Sequence, residues 1–188
     1  MSMGEDRKQS GTAVIDPARS AVRPLRVGIT GHTDLRRSTV RLVDGALREH
    51  LRRLRRGSAE QRQLIGVSCL APGADCVFAE IVLHLGGTLE VILPSTDYFD
   101  SQVSARQAPV FDGLLRQAGS VRITDCDTAG PRAYAVANDL MLDSVDRLFA
   151  VWNGVASDKL GGTAHAVNAA RARRMPVTVI WPDGSRRG

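Results

Sequence analysis

"KLGGTAHAVNAARARRMPVTVIW", residues 159–181, reads as a glycine turn, a helix and a buried strand in direct succession. Gly161 and Gly162 form the turn. Residues 163–174 have helical composition, and "PVTVIW" (176–181) is a β-branched apolar run. Just upstream, "RLFAVW" (147–152) is another such run. A helix lying between two apolar strands is the crossover that joins parallel neighbours in a sheet.

The same alternation extends back along the chain. "LRVGIT" (25–30) is a short buried strand by composition. Residues 38–56 form a helix, because Val40, Val43, Leu47, Leu51 and Leu54 recur at steps of three and four. Ser38 is placed to cap that helix and Gly57 to end it. "QLIGVSC" (63–69) and "LEVILP" (89–94) are strands flanking a helix at 73–85, with Asp75 in its first turn and Gly86-Gly87 after its last. Residues 95–109 lack a regular period. A helical stretch at 110–119, a short strand at 121–124 and a helix at 131–145 opened by Pro131 complete the series. Strands this apolar are covered on both faces, which favours a parallel sheet. The expected fold is α/β: a single Rossmann-like doubly wound domain with a mainly parallel central sheet. It spans residues 25–183, after a flexible N-terminal arm (1–24) and before a C-terminal tail (184–188).

Bulk properties agree with such a domain. Of 188 residues, 43% are hydrophobic and 24% charged, ordinary values for a globular chain with a real core. No apolar run approaches the roughly 20 residues that cross a bilayer, and residues 1–24 lack the apolar segment of a secretory signal. The expected location is therefore cytoplasmic, without a membrane partner. Cys69, Cys76 and Cys126 form no CxxC pair, which favours reduced thiols over disulfides or zinc. Four scattered histidines give no metal motif, so no metal and no cofactor is expected. The net charge is +5, and nine arginines lie between Arg36 and Arg62. Such a stripe either attracts a polyanion or is a solvated helix face.

In an open parallel sheet, ligands bind at the carboxyl ends of the strands, so the loops there carry the functional information. Gly31 and His32 follow the first strand. Glycine admits close approach of an anion to backbone N–H groups, and His32 either contacts a ligand or orders the loop. After the second strand, Pro72-Gly73 makes a turn and Asp75 begins a helix. Its carboxylate either caps that helix or binds a ribose hydroxyl or base. Glu80, five residues on, need not face the same site. After the third strand come Ser95, Thr96, Asp97 and Tyr98, with Tyr98 either stacking on a base or covering the domain edge. Aromatics are only 4% of the chain, too few for a stacking track along single-stranded nucleic acid. In the fourth loop, Gly161, Gly162 and the Thr163 hydroxyl suit a phosphate, with Lys159 adding charge. The plainer alternative is a flexible loop with Thr163 as N-cap.

Together "VGITGHTDL", "CLAPGADCVFAE", "LEVILPSTDYF", "DRLFAVWNG", "GGTAHAV" and "ARARRMPVTVIW" resemble the SLOG group of Rossmann-like proteins over residues 25–182. That group includes LOG-type nucleotide phosphoribohydrolases, Smf/DprA-type DNA-processing proteins and small nucleotide-binding proteins, the last being the nearest in pattern. The resemblance implies a nucleotide-derived ligand over the sheet's carboxyl edge. Gly31 and His32 would line one side, Gly73, Ala74 and Asp75 the floor, and Gly161, Gly162 and Thr163 would hold the phosphate. Ser68 and Pro94 sit at strand ends beside them. The departures are chemical. The Glu of the LOG-type GGxGTxxE motif falls at Ala166, an acid common two places after the Thr falls at His165, and the "WDG" aspartate falls at Asn153. Cleavage of an N-glycosidic bond passes through an oxocarbenium-like state that a carboxylate stabilises.

Three functions are therefore weighed, in this order. The first is a non-catalytic binder or sensor of a nucleotide or nucleotide-derived small molecule. The second is an N-glycosidase or phosphoribohydrolase using Asp75 or Glu80 as the catalytic carboxylate. The third is DprA-like nucleic-acid binding through the arginine-rich helix. Whether the chain is an enzyme stays open at this point, and a homodimer is expected from the resemblance.

Overall fold

The computed structural model describes residues 23–56 and 62–188. The expected arm, up to residue 22, and the helix stop at Gly57 lie outside the described residues. The elements run β1 (Leu25–Gly31), α1 (Arg37–Arg56), β2 (Leu64–Ser68), α2 (Ala74–His84), β3 (Thr88–Leu93), α3 (Tyr98–Gln102), α4 (Ala108–Gln117), β4 (Ser120–Ile123), α5 (Pro131–Ser144), β5 (Arg147–Val151), α6 (Thr163–Ala172) and β6 (Val177–Val179). The strands form one sheet in the order β4-β3-β2-β1-β5-β6, and every neighbouring pair is parallel. The doubly wound α/β fold expected from the sequence is the fold observed.

Each helix buries its apolar stripe on one face of this sheet. Val43, Leu47 and Leu51 of α1 pack with Phe78, Ile81 and Val82 of α2 against Val27 and Ile29. Phe111 and Leu114 of α4 extend that layer over Leu89, Val91 and Leu93. On the opposite face, Ala137 and Met141 of α5 and Ala164 and Val167 of α6 cover Ile65, Ile92 and Leu148. The first three crossovers thus lie on one side and the last two on the other. Adjacent β1 and β5 send their chains to opposite faces, β1 into α1 and β5 into α6. That is the switch in strand order, where the loops diverge and leave a crevice.

Two local expectations change. Ser38 lies inside α1, which starts at Arg37 with Val40 N–H donating to Arg36 O at 2.9 Å, so Ser38 is not the cap. The irregular stretch contains α3, whose five residues are too few to show a helical period. Residues after β6 lie against the loop before α1, with Leu35 and Arg187 forming an antiparallel bridge.

Candidate functional site

A cavity of about 750 Å³ opens at the carboxyl ends of the central strands. It collects Gly31, His32, Asp75, Pro94, Asn153, Gly161, Gly162 and Thr163 from the four loops singled out in the sequence. A second hollow, beside β4 and the start of α5, holds none of them.

The turn between β2 and α2 builds the floor. Ser68 is fully buried; its Oγ accepts the Leu70 N–H at 3.0 Å and donates to Asp75 Oδ2 at 3.3 Å. The Asp75 carboxylate also accepts backbone N–H groups of Ala71 and Cys69. This bonding holds a turn in which Leu70 adopts a φ of 52°, a left-handed conformation costly for a branched residue. Asp75 therefore does not cap α2, whose N-cap is Gly73. Gly73 sits at φ 91°, and a Cβ there would lie 2.7 Å from His32 O, so only glycine lets this turn close on the β1 loop. Ala74 N–H completes that closure by donating to His32 O at 3.3 Å. Burial is the main cause that pushes the Asp75 carboxyl up to about 7, against the hydrogen bonds that lower it.

His32 forms the adjoining wall. Its Nε2 lies 3.2 Å from Asn153 Oδ1 and 3.3 Å from Asn153 N, and its ring stands edge-on to Trp181 at 5.3 Å. Burial lowers its pKa, so the neutral imidazole dominates at pH 7. Opposite, Tyr98 is buried with its ring edge-on to Tyr134 at 6.4 Å. Burial, then the nearby Asp75 charge, raises the Tyr98 phenol far above its usual range, keeping it a neutral donor. Asp97 instead holds the β3 loop together, accepting from Ser95 Oγ and Ala129 N–H, each at 2.7 Å.

The β5–α6 connection supplies the last wall. Gly162 is the N-cap of α6 and Thr163 its first helical residue, so the Thr163 hydroxyl is not the cap. The first N–H groups of the helix have no partner within it, and Gly162, Thr163 and Ala164 at this positive end of the helix dipole line the cavity. Gly161 has a structural reason of its own: at φ 74°, a Cβ would lie 2.5 Å from Tyr134 Cβ. Asn138 Nδ2 donates to Gly161 O at 3.0 Å and fixes this turn to α5.

Five predicted residues lie outside the cavity lining. Ser68, Gly73 and Ala74 support the floor from behind. Glu80 is exposed and turned to α1, where Asp44 and Arg48 are its charged neighbours. His165 is half-buried, its Nδ1 buried without a hydrogen-bond partner. Ala166, at the LOG-type acid position, is wholly buried in the core. The lining includes residues that sequence reasoning did not select: Trp152, Tyr134, Asn138, Gln102, Gln107 and Arg187. Asn138 alone had a signal, a polar residue on the apolar stripe of a helix. Among the described residues, no group of three or more His, Cys, Asp or Glu side chains is placed to hold a metal ion.

This arrangement presents neutral donors, an anion-favouring helix start and one carboxyl of unusual proton affinity. No family model matches the chain, and no curated protein matches it. Solved structures do. DNA processing protein A from Streptococcus pneumoniae superposes with a TM-score of 0.59 at 14% identity, over 86% of this chain and 52% of its own. The same protein from Helicobacter pylori, described for its single-stranded DNA binding mode, gives 0.58 at 17% identity, over 88% of this chain and 69% of its own. The molybdenum cofactor binding protein of Rippkaea orientalis gives 0.55 at 16% identity, over 87% and 80%. The chain spans about half the length of the Streptococcus protein. Among the described residues, no helix is long and apolar enough to cross a membrane. The doubly wound Rossmann-like fold read from the sequence is the fold these structures share with this chain.

Proposed function

We propose that the crevice binds a nucleotide or nucleotide-derived small molecule, with a phosphate at the start of α6, and that the protein acts as a binder or sensor. One observation carries the reading: residues from four separate loops line a single cavity at the switch in strand order, with Thr163 and the α6 N-terminus on its wall. The side chains weigh against hydrolysis. The LOG-type acid position is the core residue Ala166, Asn153 is neutral, and Glu80 faces α1. Asp75 already serves three donors in the turn beneath the cavity. The cofactor-binding protein of Rippkaea orientalis is a small-molecule binder on the same fold. With this reading go a cytoplasmic setting and a homodimer, the latter checked by light-scattering mass.

Thermal melting against nucleoside mono-, di- and triphosphates, cyclic nucleotides, NAD and ADP-ribose tests it. A ligand at about 100 times its dissociation constant adds roughly 2.7 kcal/mol, which for a chain of this size raises Tm by about 5–10 °C. The shift is expected to vanish in Thr163→Val. Melting curves unmoved by every member would refute the reading.

A second reading has one observation in its favour. A carboxyl titrating near 7 on a cavity floor suits proton transfer, as N-glycoside hydrolysis requires. Release of free base from the bound nucleotide, abolished in Asp75→Asn, would establish it. DNA binding, named for the Helicobacter neighbour, has no aromatic track on this chain to support it.

A further inference from the structure

The segment after β6 crosses from the sheet edge to the loop before α1 and is held there by main-chain contacts. Thr39 Oγ1 donates to Arg186 O at 2.8 Å and is placed 2.7 Å from Arg186 N–H, which donates to it. Arg36 donates through its backbone N–H to Arg186 O at 3.3 Å and through Nε to Arg187 O at 3.0 Å. Thr39 is fully buried, so this clasp rests on a fixed point of α1. Its consequence is the position of one side chain. Arg187 lines the ligand cavity, and its Nε and Nη2 lie 2.9–3.0 Å from the Asp34 carboxylate. Nη1 has no partner among the described residues. Arg187 comes from the α1 side of the switch and Thr163 from the α6 side, so the crevice has an anion-binding donor on each wall, with the Asp34 carboxylate beside Arg187.

We propose that Arg187 is a ligand-binding residue, an anion-recognising arm aimed by Asp34, and that the site takes ligands bearing two anionic groups. One phosphate meets the start of α6, and a second phosphate meets Arg187. The proposal rests on the nucleotide reading above and deepens it: nucleoside diphosphates are favoured over monophosphates. A planar guanidinium held by one carboxylate keeps a directed donor for a second anion. Asp34 is a competitor as well as a guide, because it neutralises the charge the ligand needs.

Calorimetric titration of ADP, GDP, CDP and UDP, each beside its monophosphate, tests the proposal on the full chain at low salt. In the wild type, at least one diphosphate is expected to bind about tenfold or more tightly than its monophosphate, the scale of a charge-assisted hydrogen bond. Arg187→Ala removes that gap and leaves the monophosphate affinity in place, while Arg187→Lys keeps part of it. Asp34→Asn binds the diphosphate as tightly as the wild type or more so. If Arg187 only staples the segment, Arg187→Ala and Asp34→Asn weaken binding alike, and that result overturns the proposal. So does a mono- to diphosphate gap that is absent in the wild type or survives in Arg187→Ala. Those results leave the nucleotide reading intact; failure of all eight nucleotides to bind also overturns the proposal, and the nucleotide reading itself falls only if the wider melting panel fails too.

Discussion

Replacing Asp75 by Asn should make the protein more stable at pH 8 and leave it little changed near pH 4. The Asp75 side chain is buried at the cavity floor, and burial raises its pKa to about 7. An aspartate in an unfolded chain titrates near 3.9. Between about pH 4 and 7 the native state therefore keeps a proton that the unfolded chain has released, and stability falls as pH rises through that window. Roughly three pKa units correspond to a penalty on the order of 4 kcal/mol above pH 7. Asparagine is uncharged throughout and its carbonyl oxygen can still accept from Ser68 and the turn N–H groups. Urea unfolding of wild type and variant at pH 4, 6 and 8 isolates the effect, since all other titrating groups are shared. The variant's advantage should be several kcal/mol at pH 8 and shrink as the pH is lowered. A variant no more stable at pH 8, or an advantage independent of pH, would refute the claim that this carboxyl is buried with its proton.

Other substitutions separate close approach, packing and surface charge. Gly73→Ala places a Cβ 2.7 Å from His32 O at a positive φ, and a loss of about 2–3 kcal/mol is expected in urea unfolding; an unchanged midpoint would contradict the tight closure of the two loops. Leu51→Ala empties a wholly buried position of α1 and should cost about 2–5 kcal/mol. Arg52→Ala, on the exposed side of the next position, should stay within about 0.5 kcal/mol of wild type.

The fold was readable because its signals are local and repeated. The α1 stripe of Val43, Leu47 and Leu51 and the apolar runs of β1, β3 and β5 each announce their element without reference to the others. α3 escaped because five residues hold too little of a period. Of the site, the glycine turns were visible as punctuation, but their reasons were not. Gly161 is required by Tyr134 on α5, and Gly73 by the carbonyl of His32; both are contacts between segments far apart in sequence. Sequence spacing placed Asp75 and Glu80 five residues apart on one helix. Helical geometry sends one to the cavity and the other to α1. Arg187 had no local signal, since its place depends on a segment crossing the sheet to meet Thr39.

The location of the ligand is tested most directly by hydrogen–deuterium exchange with and without the nucleotide that gives the largest melting shift. The account predicts slower exchange at 31–34 and 153–165, the β1 loop and the start of α6. Protection confined to the arginine-bearing face of α1, with those segments unchanged, would contradict it.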